Sequence, residues 1–281
     1  MTLKTDFDRA REQAEHALRK GRFPEAEQLY TALIDAPAGE DIPAGGERQQ
    51  DGAHRDLPAL LEGHALALYG LARYQDAEAR LRDALERRGA ADGPMAAATL
   101  STMARLAEAV GEQRRWTEAR ELAREAKRLA DLSPDVTPET RVSISLALPW
   151  LLVRTQDDTA IAQVRALVTD AHFILGTDHP HCWAARHLFV QVLYATGAYE
   201  EAELEARNLL ELRNERQGPV HPHTLLLRRD LALILHAAGR HDEAAELITD
   251  TCAAGEDTLG PEHPCTAHLR TARTAITEQL S

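Results

Sequence analysis

The chain has 281 residues, a formal net charge of −13, three cysteines and few aromatic side chains. Its acidic balance argues against general nucleic-acid binding or docking on an anionic membrane, because both surfaces repel a negative chain. Cys182, Cys252 and Cys265 form no C-x-x-C pair, the opening residues lack the apolar core of a secretory signal, and no stretch reaches the roughly 18 apolar residues of a membrane span, so the expected compartment is the cytoplasm.

Abundant alanine and leucine with short β-branched runs favour helices. Phe7, Ala10, Ala14, Ala17 and Leu18 recur at helical spacing, Gly21-Arg22-Phe23-Pro24 interrupts them, and Ala26, Leu29, Tyr30 and Leu33 form a second stripe. The spacing predicts a first helix pair over about 6–35. Residues 36–56 carry Pro37, Gly39, Pro43, Gly45, Gly46 and Gly52 without apolar periodicity, and are expected to be a disordered insertion loop. Further pairs follow over about 57–88, 94–132, 138–174, 180–216 and 222–258, and 264–280 is left as a single capping helix with Leu269, Ala272 and Ile276 facing inward. Gly111 lies five residues before Trp116, against two between Gly197 and Tyr199, which predicts a longer or differently wound turn after Val110. In the fourth pair Pro149 falls inside an apolar run, which predicts a break near Leu148.

One sentence of sequence is written three times: His179-Pro180-His181, His221-Pro222-His223-Thr224 and His263-Pro264-Cys265-Thr266, with starts 42 residues apart. Arg186, Arg228 and Arg270 keep that step, as do Gly197 and Gly239, and Ala202 and Ala244. A fixed period of this length marks a repeat array. Proline opens each first helix, glycine ends it in a left-handed turn, and the alanines stand where paired helices cross closely. Phe23, Tyr74, Trp116 and Tyr199 fill one equivalent place, with His241 as a smaller polar version. The arginine series is expected to tie one repeat to the next.

Gly-x-aromatic-x-x-Ala joining two short helices resembles the tetratricopeptide repeat. The 42-residue step and the linker Leu259-Gly260-Pro261-Glu262-His263-Pro264-Cys265-Thr266 with Arg270 resemble its kinesin-light-chain type, common in bacterial proteins. The resemblance implies an all-α, right-handed α-solenoid of about six antiparallel helix pairs plus a C-terminal capping helix. It also implies a single domain whose first helices line a concave groove that holds a peptide or partner protein.

Framed on the second-helix alanines, the groove candidates are Arg11, Glu15 and Leu18 in the first pair, and Glu62, Leu66 and Tyr69 in the second. Ala104 and Glu108 follow in the third, His187, Gln191 and Tyr194 in the fifth, and Arg229, Leu233 and His236 in the sixth. Such a wall suits a protein or peptide ligand with acidic and apolar anchors. His179-x-His181 and His221-x-His223 have the look of paired metal ligands, but no Asp, Glu or Cys spacing completes a zinc set, and they recur as part of the linker. There is no G-x-S-x-G, phosphate-cradling loop or H-E-x-x-H, so no catalytic residue, metal or cofactor is expected. Three readings compete: an interaction scaffold, a peptide-sensing regulatory subunit of a bacterial signalling or transcription system, and an enzyme supported by the histidines alone. A homodimer through an imperfectly polar end helix is a further expectation.

Overall fold

A computed structural model describes residues 6–36, 57–154 and 159–278. The expected insertion loop lies, but for Ala36, outside the described residues, as does the last stretch of the expected cap. The described chain is all-α, in antiparallel pairs, and divides into two compact units, 1–147 and 148–281.

The first unit holds α1 (Asp6–Arg19), α2 (Phe23–Asp35), α3 (Leu57–Gly70), α4 (Tyr74–Ala91), α5 (Ala97–Glu112), α6 (Trp116–Leu132) and α7 (Pro138–Ser145). Each helix packs on its chain neighbour because its buried stripe recurs every three or four residues. In α6 that stripe is Ala119, Ala123, Ala126 and Ala130, all nearly or wholly buried. Small side chains let the paired backbones approach.

The turns inside the pairs share one geometry. Gly21, Ala72 and Arg114 hold φ of 70°, 57° and 63°. The residue after each donates its N–H back five residues, Arg22 to Ala17, Arg73 to Leu68 and Arg115 to Val110. This is the bonded end that terminates a helix with a left-handed residue. The turn after α5 is therefore neither longer nor differently wound, contrary to the sequence expectation. Arg114 occupies the place glycine holds elsewhere, and Gly111 is an ordinary buried helical residue. Gly63 and Gly70 in α3 serve packing instead. A Cβ at Gly63 would lie 2.3 Å from Tyr30 Cζ, and one at Gly70 2.5 Å from the Phe23 ring.

The apolar run around Pro149 is broken as expected, though two residues earlier than Leu148. Leu146 separates α7 from α8 (Ala147–Arg154), its N–H turned back to Ser143 O at 3.2 Å. Proline cannot supply the N–H that would bond Ser145 O and continue the helix.

The second unit continues from α8 through α9 (Ala160–Leu175), α10 (Pro180–Ala195), α11 (Tyr199–Arg216), α12 (Pro222–Ala237), α13 (His241–Leu259) and α14 (Pro264–Thr277). Gly197 and Gly239 close its pairs at φ 80° and 81°. Leu269, Ala272 and Ile276 of α14 are buried against the preceding helices. The His-Pro corners are helix caps: Nδ1 of His179, His221 and His263 accepts the backbone N–H of His181, His223 and Cys265 at 3.2, 3.3 and 3.1 Å. Each satisfies an amide that the first helical turn leaves unpaired, and each fixes the neutral ring's proton on Nε2.

Candidate functional site

The variable residues of the first helices come together differently in the two units. In the first, Arg11 Nε lies 3.2 Å from Glu15 Oε1, so both are engaged along one helix. Glu62, half-buried, accepts from Arg88 Nε at 2.6 Å and from the Thr102 hydroxyl, bridging α3, α4 and α5. Leu66 is partly exposed beside it. Tyr69 donates to Glu112 Oε1 at 3.2 Å and meets the Tyr74 ring edge-on at 5.3 Å. Burial, then Glu112 and Glu108, raise the Tyr69 phenol. Burial also lifts the Glu108 carboxyl to about 7, opposed by Arg105 and reinforced by Glu112. Ala104 is buried and offers no contact surface.

In the second unit the candidates form a connected network. His187 Nε2 and Gln191 Nε2 on α10 both reach Asp230 Oδ2 on α12, at 2.8 and 3.1 Å. Arg229 grips the other carboxylate oxygen, with Nε at 2.8 Å. Behind His187, Arg213 of α11 is 4% exposed, and its guanidinium donates to His223 O at 2.6 Å and Trp183 O at 3.3 Å. Burial lowers Arg213 to about 10, which leaves it cationic at neutral pH. Desolvation, then the Arg213 charge, lowers the His221 and His223 imidazoles. Beside this network a cavity of about 540 Å³ opens, walled by Trp183, Leu188, Arg213, Gln217 and His221 among others. Tyr194, 36% exposed, lies 6.0 Å from the Tyr199 ring, and His236 meets His241 edge-on at 4.7 Å. Leu233 is partly exposed on the same helix as Arg229.

Asp230, Arg213 and Glu112 were not among the sequence candidates. Their signal was departure from the repeat. One 42-residue step away from Asp230 stands Leu188, and one step either side of Arg213 stand Ala171 and Gly255. Arg88 holds the same place in the second pair, where its partner Glu62 matches His187.

The repeated arginines do not act as one series. Arg186 binds Glu205 of its own pair at 2.6 Å, whereas Arg270 reaches back to Glu256 at 2.7 Å. Neighbouring repeats are also tied on the second helices, by Arg82–Glu118 in the first unit and by Arg165–Glu201 and Arg207–Glu243 in the second, each 36 residues apart and between 2.6 and 2.9 Å. Among the described residues no group of three or more His, Cys, Asp or Glu could hold a metal ion. Cys182 beside His181 is no activated thiol, for it is buried and burial raises its pKa.

Antiparallel pairs with a shared turn, alanine crossings and a repeated cap define a helical-repeat protein. The tetratricopeptide repeat model matches residues 99–130 and 224–264, so both units carry tetratricopeptide repeats. Among solved structures, the Rap conjugation gene regulator of plasmid pLS20, in complex with the Phr* peptide, is 13% identical over 98% of this chain and 80% of that one, with a TM-score of 0.68. A Rap protein complexed with Competence and Sporulation Factor is 13% identical over 98% and 86%, with a TM-score of 0.62. A kinesin light chain of nearly identical TPR-like repeats from Podosopora anserina is 20% identical over 73% and 96%, with a TM-score of 0.56. At these identities the likeness establishes the fold. No curated protein matches the sequence. Among the described residues no helix is long and apolar enough to cross a membrane.

Proposed function

We propose that the chain is a non-catalytic interaction scaffold that docks a peptide, or an extended segment of a partner protein, against its first-helix faces. The observation that carries this reading is the network of His187, Gln191, Arg229 and Asp230 beside the cavity of the second unit. Repeated residues there serve caps, turns and crossings, while the residues that vary between repeats supply a polar, partly exposed wall. Arg229 and His187 suit an acidic anchor, and Leu233 and Tyr194 an apolar one. The test is a pull-down from the native host with wild type and a His187→Glu, Arg229→Glu variant. The variant is expected to lose partners that the wild type captures, and an unchanged set would rule out this face.

A second reading is a peptide-sensing regulatory subunit, favoured by the likeness to two Rap proteins solved with a peptide or factor. It requires the chain to compact when a short peptide is added, which small-angle scattering measures. A homodimer through the end helix α14 belongs to the same proposal. Light scattering would show a doubled mass that a charged substitution on that helix abolishes.

A further inference from the structure

In the second helix pair Arg88 closes on the Glu62 carboxylate at 2.6 Å, and both side chains are largely buried. The matching corner of the second unit, where α11 ends and α12 begins, keeps the arginine and lacks the acid: Arg213 stands for Arg88, and His187 for Glu62. Arg213 is 4% exposed, and among the described residues no carboxylate bonds it. Its guanidinium meets His223 O, Trp183 O and His187 Nδ1. Asp230, whose charge reaches Arg213, is already held by His187, Gln191 and Arg229. Arg186 is matched by Glu205. Two cations, Arg213 and Arg229, thus share one carboxylate. A buried cation without a counter-charge is costly, and this corner is one negative charge short.

The cavity of about 540 Å³ opens beside Arg213, and none of its lining residues among those described is acidic, in a chain of net charge −13. His221 and His223 line it. His221 spends Nδ1 on the His223 amide, which leaves Nε2 as an N–H donor. That nitrogen has no partner among the described residues, and solvent reaches it. The exposed His223 ring, 5.4 Å away, makes no hydrogen bond among them either. After burial, the Arg213 charge is what lowers both imidazoles, so its positive field extends to the two rings. We propose that this corner takes a carboxylate, that of a glutamate or aspartate side chain on the docked segment. The carboxylate accepts the His221 Nε2–H and a His223 N–H, and it supplies through space the charge that Glu62 gives Arg88. The inference rests on the docking reading above and names a contact the segment makes beyond His187 and Arg229. Pro180, Trp183 and Leu188 offer apolar walls to the methylene stem. A chain terminus would set an N–H and a carbonyl unpaired against those walls, and a phosphate dianion exceeds the single missing charge.

The probe is N-acetyl-glutamate N-methylamide, titrated against the full chain beside its glutamine counterpart, N-acetyl-leucine and inorganic phosphate. Binding is read from the proton–nitrogen NMR signals of the His221 and His223 rings and the Trp183 indole. The glutamate probe is expected to give a saturable shift at about millimolar concentration, with glutamine weaker by about tenfold because the charge-assisted bonds are lost. His221→Asn keeps a helix cap but removes the Nε2–H, so it should weaken binding about tenfold at near wild-type helicity and melting. His223→Phe, which keeps a ring and loses the donor, should weaken it as well. Glutamine bound as tightly as glutamate, no saturable shift with glutamate, or unchanged binding in both histidine variants would each overturn the proposal. N-acetyl-leucine or phosphate bound as tightly as the glutamate probe would overturn the side-chain source. The two failures separate. A silent titration leaves the pull-down result on His187 and Arg229 standing, and unchanged partners in the pull-down leave a histidine-dependent shift standing.

Discussion

His187 Nε2 and Asp230 Oδ2 lie 2.8 Å apart, joining the first helices of successive repeats through a half-buried imidazole and a buried carboxylate. Burial opposes the Asp230 charge, but the His187 bond and the Arg229 guanidinium outweigh it and hold the carboxyl below its usual range. A lowered folded pKa adds stability that is present above the unfolded value of about 4 and is lost as pH falls through the folded one. Asp230→Asn should therefore flatten the acid limb of stability measured by urea unfolding. Asp230→Ala at pH 7 should cost about 2–4 kcal/mol, since it strips the acceptor from buried donors. An acid limb identical to wild type in Asp230→Asn would contradict the pairing.

The histidine caps make a second acid-sensitive element. His221 Nδ1 can accept the His223 N–H only while unprotonated, and burial, then Arg213, lowers its pKa. A histidine whose folded pKa is depressed contributes stability that is complete above the unfolded value of about 6.5 and is lost as pH falls below it. His221→Ala should destabilise by about 1 kcal/mol at pH 8, and less at pH 5, where the unfolded ring is protonated and keeping the folded ring neutral costs stability. His221→Asn, which also caps but does not titrate, should recover most of the loss at both pH values.

Glu108 titrates in the opposite sense. Burial lifts its carboxyl to about 7, so the folded state keeps a proton that the unfolded state has lost. Stability is then complete below the unfolded value of about 4.3 and is lost as pH rises through 7. Glu108→Gln should stabilise the first unit by roughly 1–3 kcal/mol at pH 8 and leave it unchanged at pH 4, as urea midpoints would show. Equal effects at both pH values would mean the carboxyl ionises normally.

Gly63 has no room for a side chain. Its Cβ would meet the Tyr30 ring at 2.3 Å, and Tyr30 is 4% exposed. Gly63→Ala should cost about 1–3 kcal/mol by overpacking, despite alanine's better helix propensity. Pairing it with Tyr30→Leu should recover part of that cost, and the double-mutant cycle in thermal melts measures how much. Strict additivity would show that the two residues do not meet.

Ala72 and Arg114 carry the left-handed φ that glycine carries in the matching turns. The strain of a Cβ there exceeds the added chain entropy of glycine, so Arg114→Gly should stabilise by up to about 1 kcal/mol and raise the melting temperature by a few degrees. An unchanged or lower melting temperature would mean the turn holds Arg114 without strain.

The helices and their order were readable from the 42-residue step, because caps, turn residues and crossing alanines act within a few residues of one another. Alternation at helical spacing placed Leu269, Ala272 and Ile276 inside and the break beside Pro149. The turn after Val110 was misread because sequence spacing alone cannot show that an arginine accepts a left-handed backbone. The networks were beyond that reading for a different reason. Asp230 meets His187 from 43 residues away, and Arg213 reaches the carbonyls of Trp183 and His223 from two other helices. A helical period fixes which face of its own helix a residue occupies. Which side chain it meets from the next helix depends on reach, rotamer and packing, and only the folded arrangement decides those.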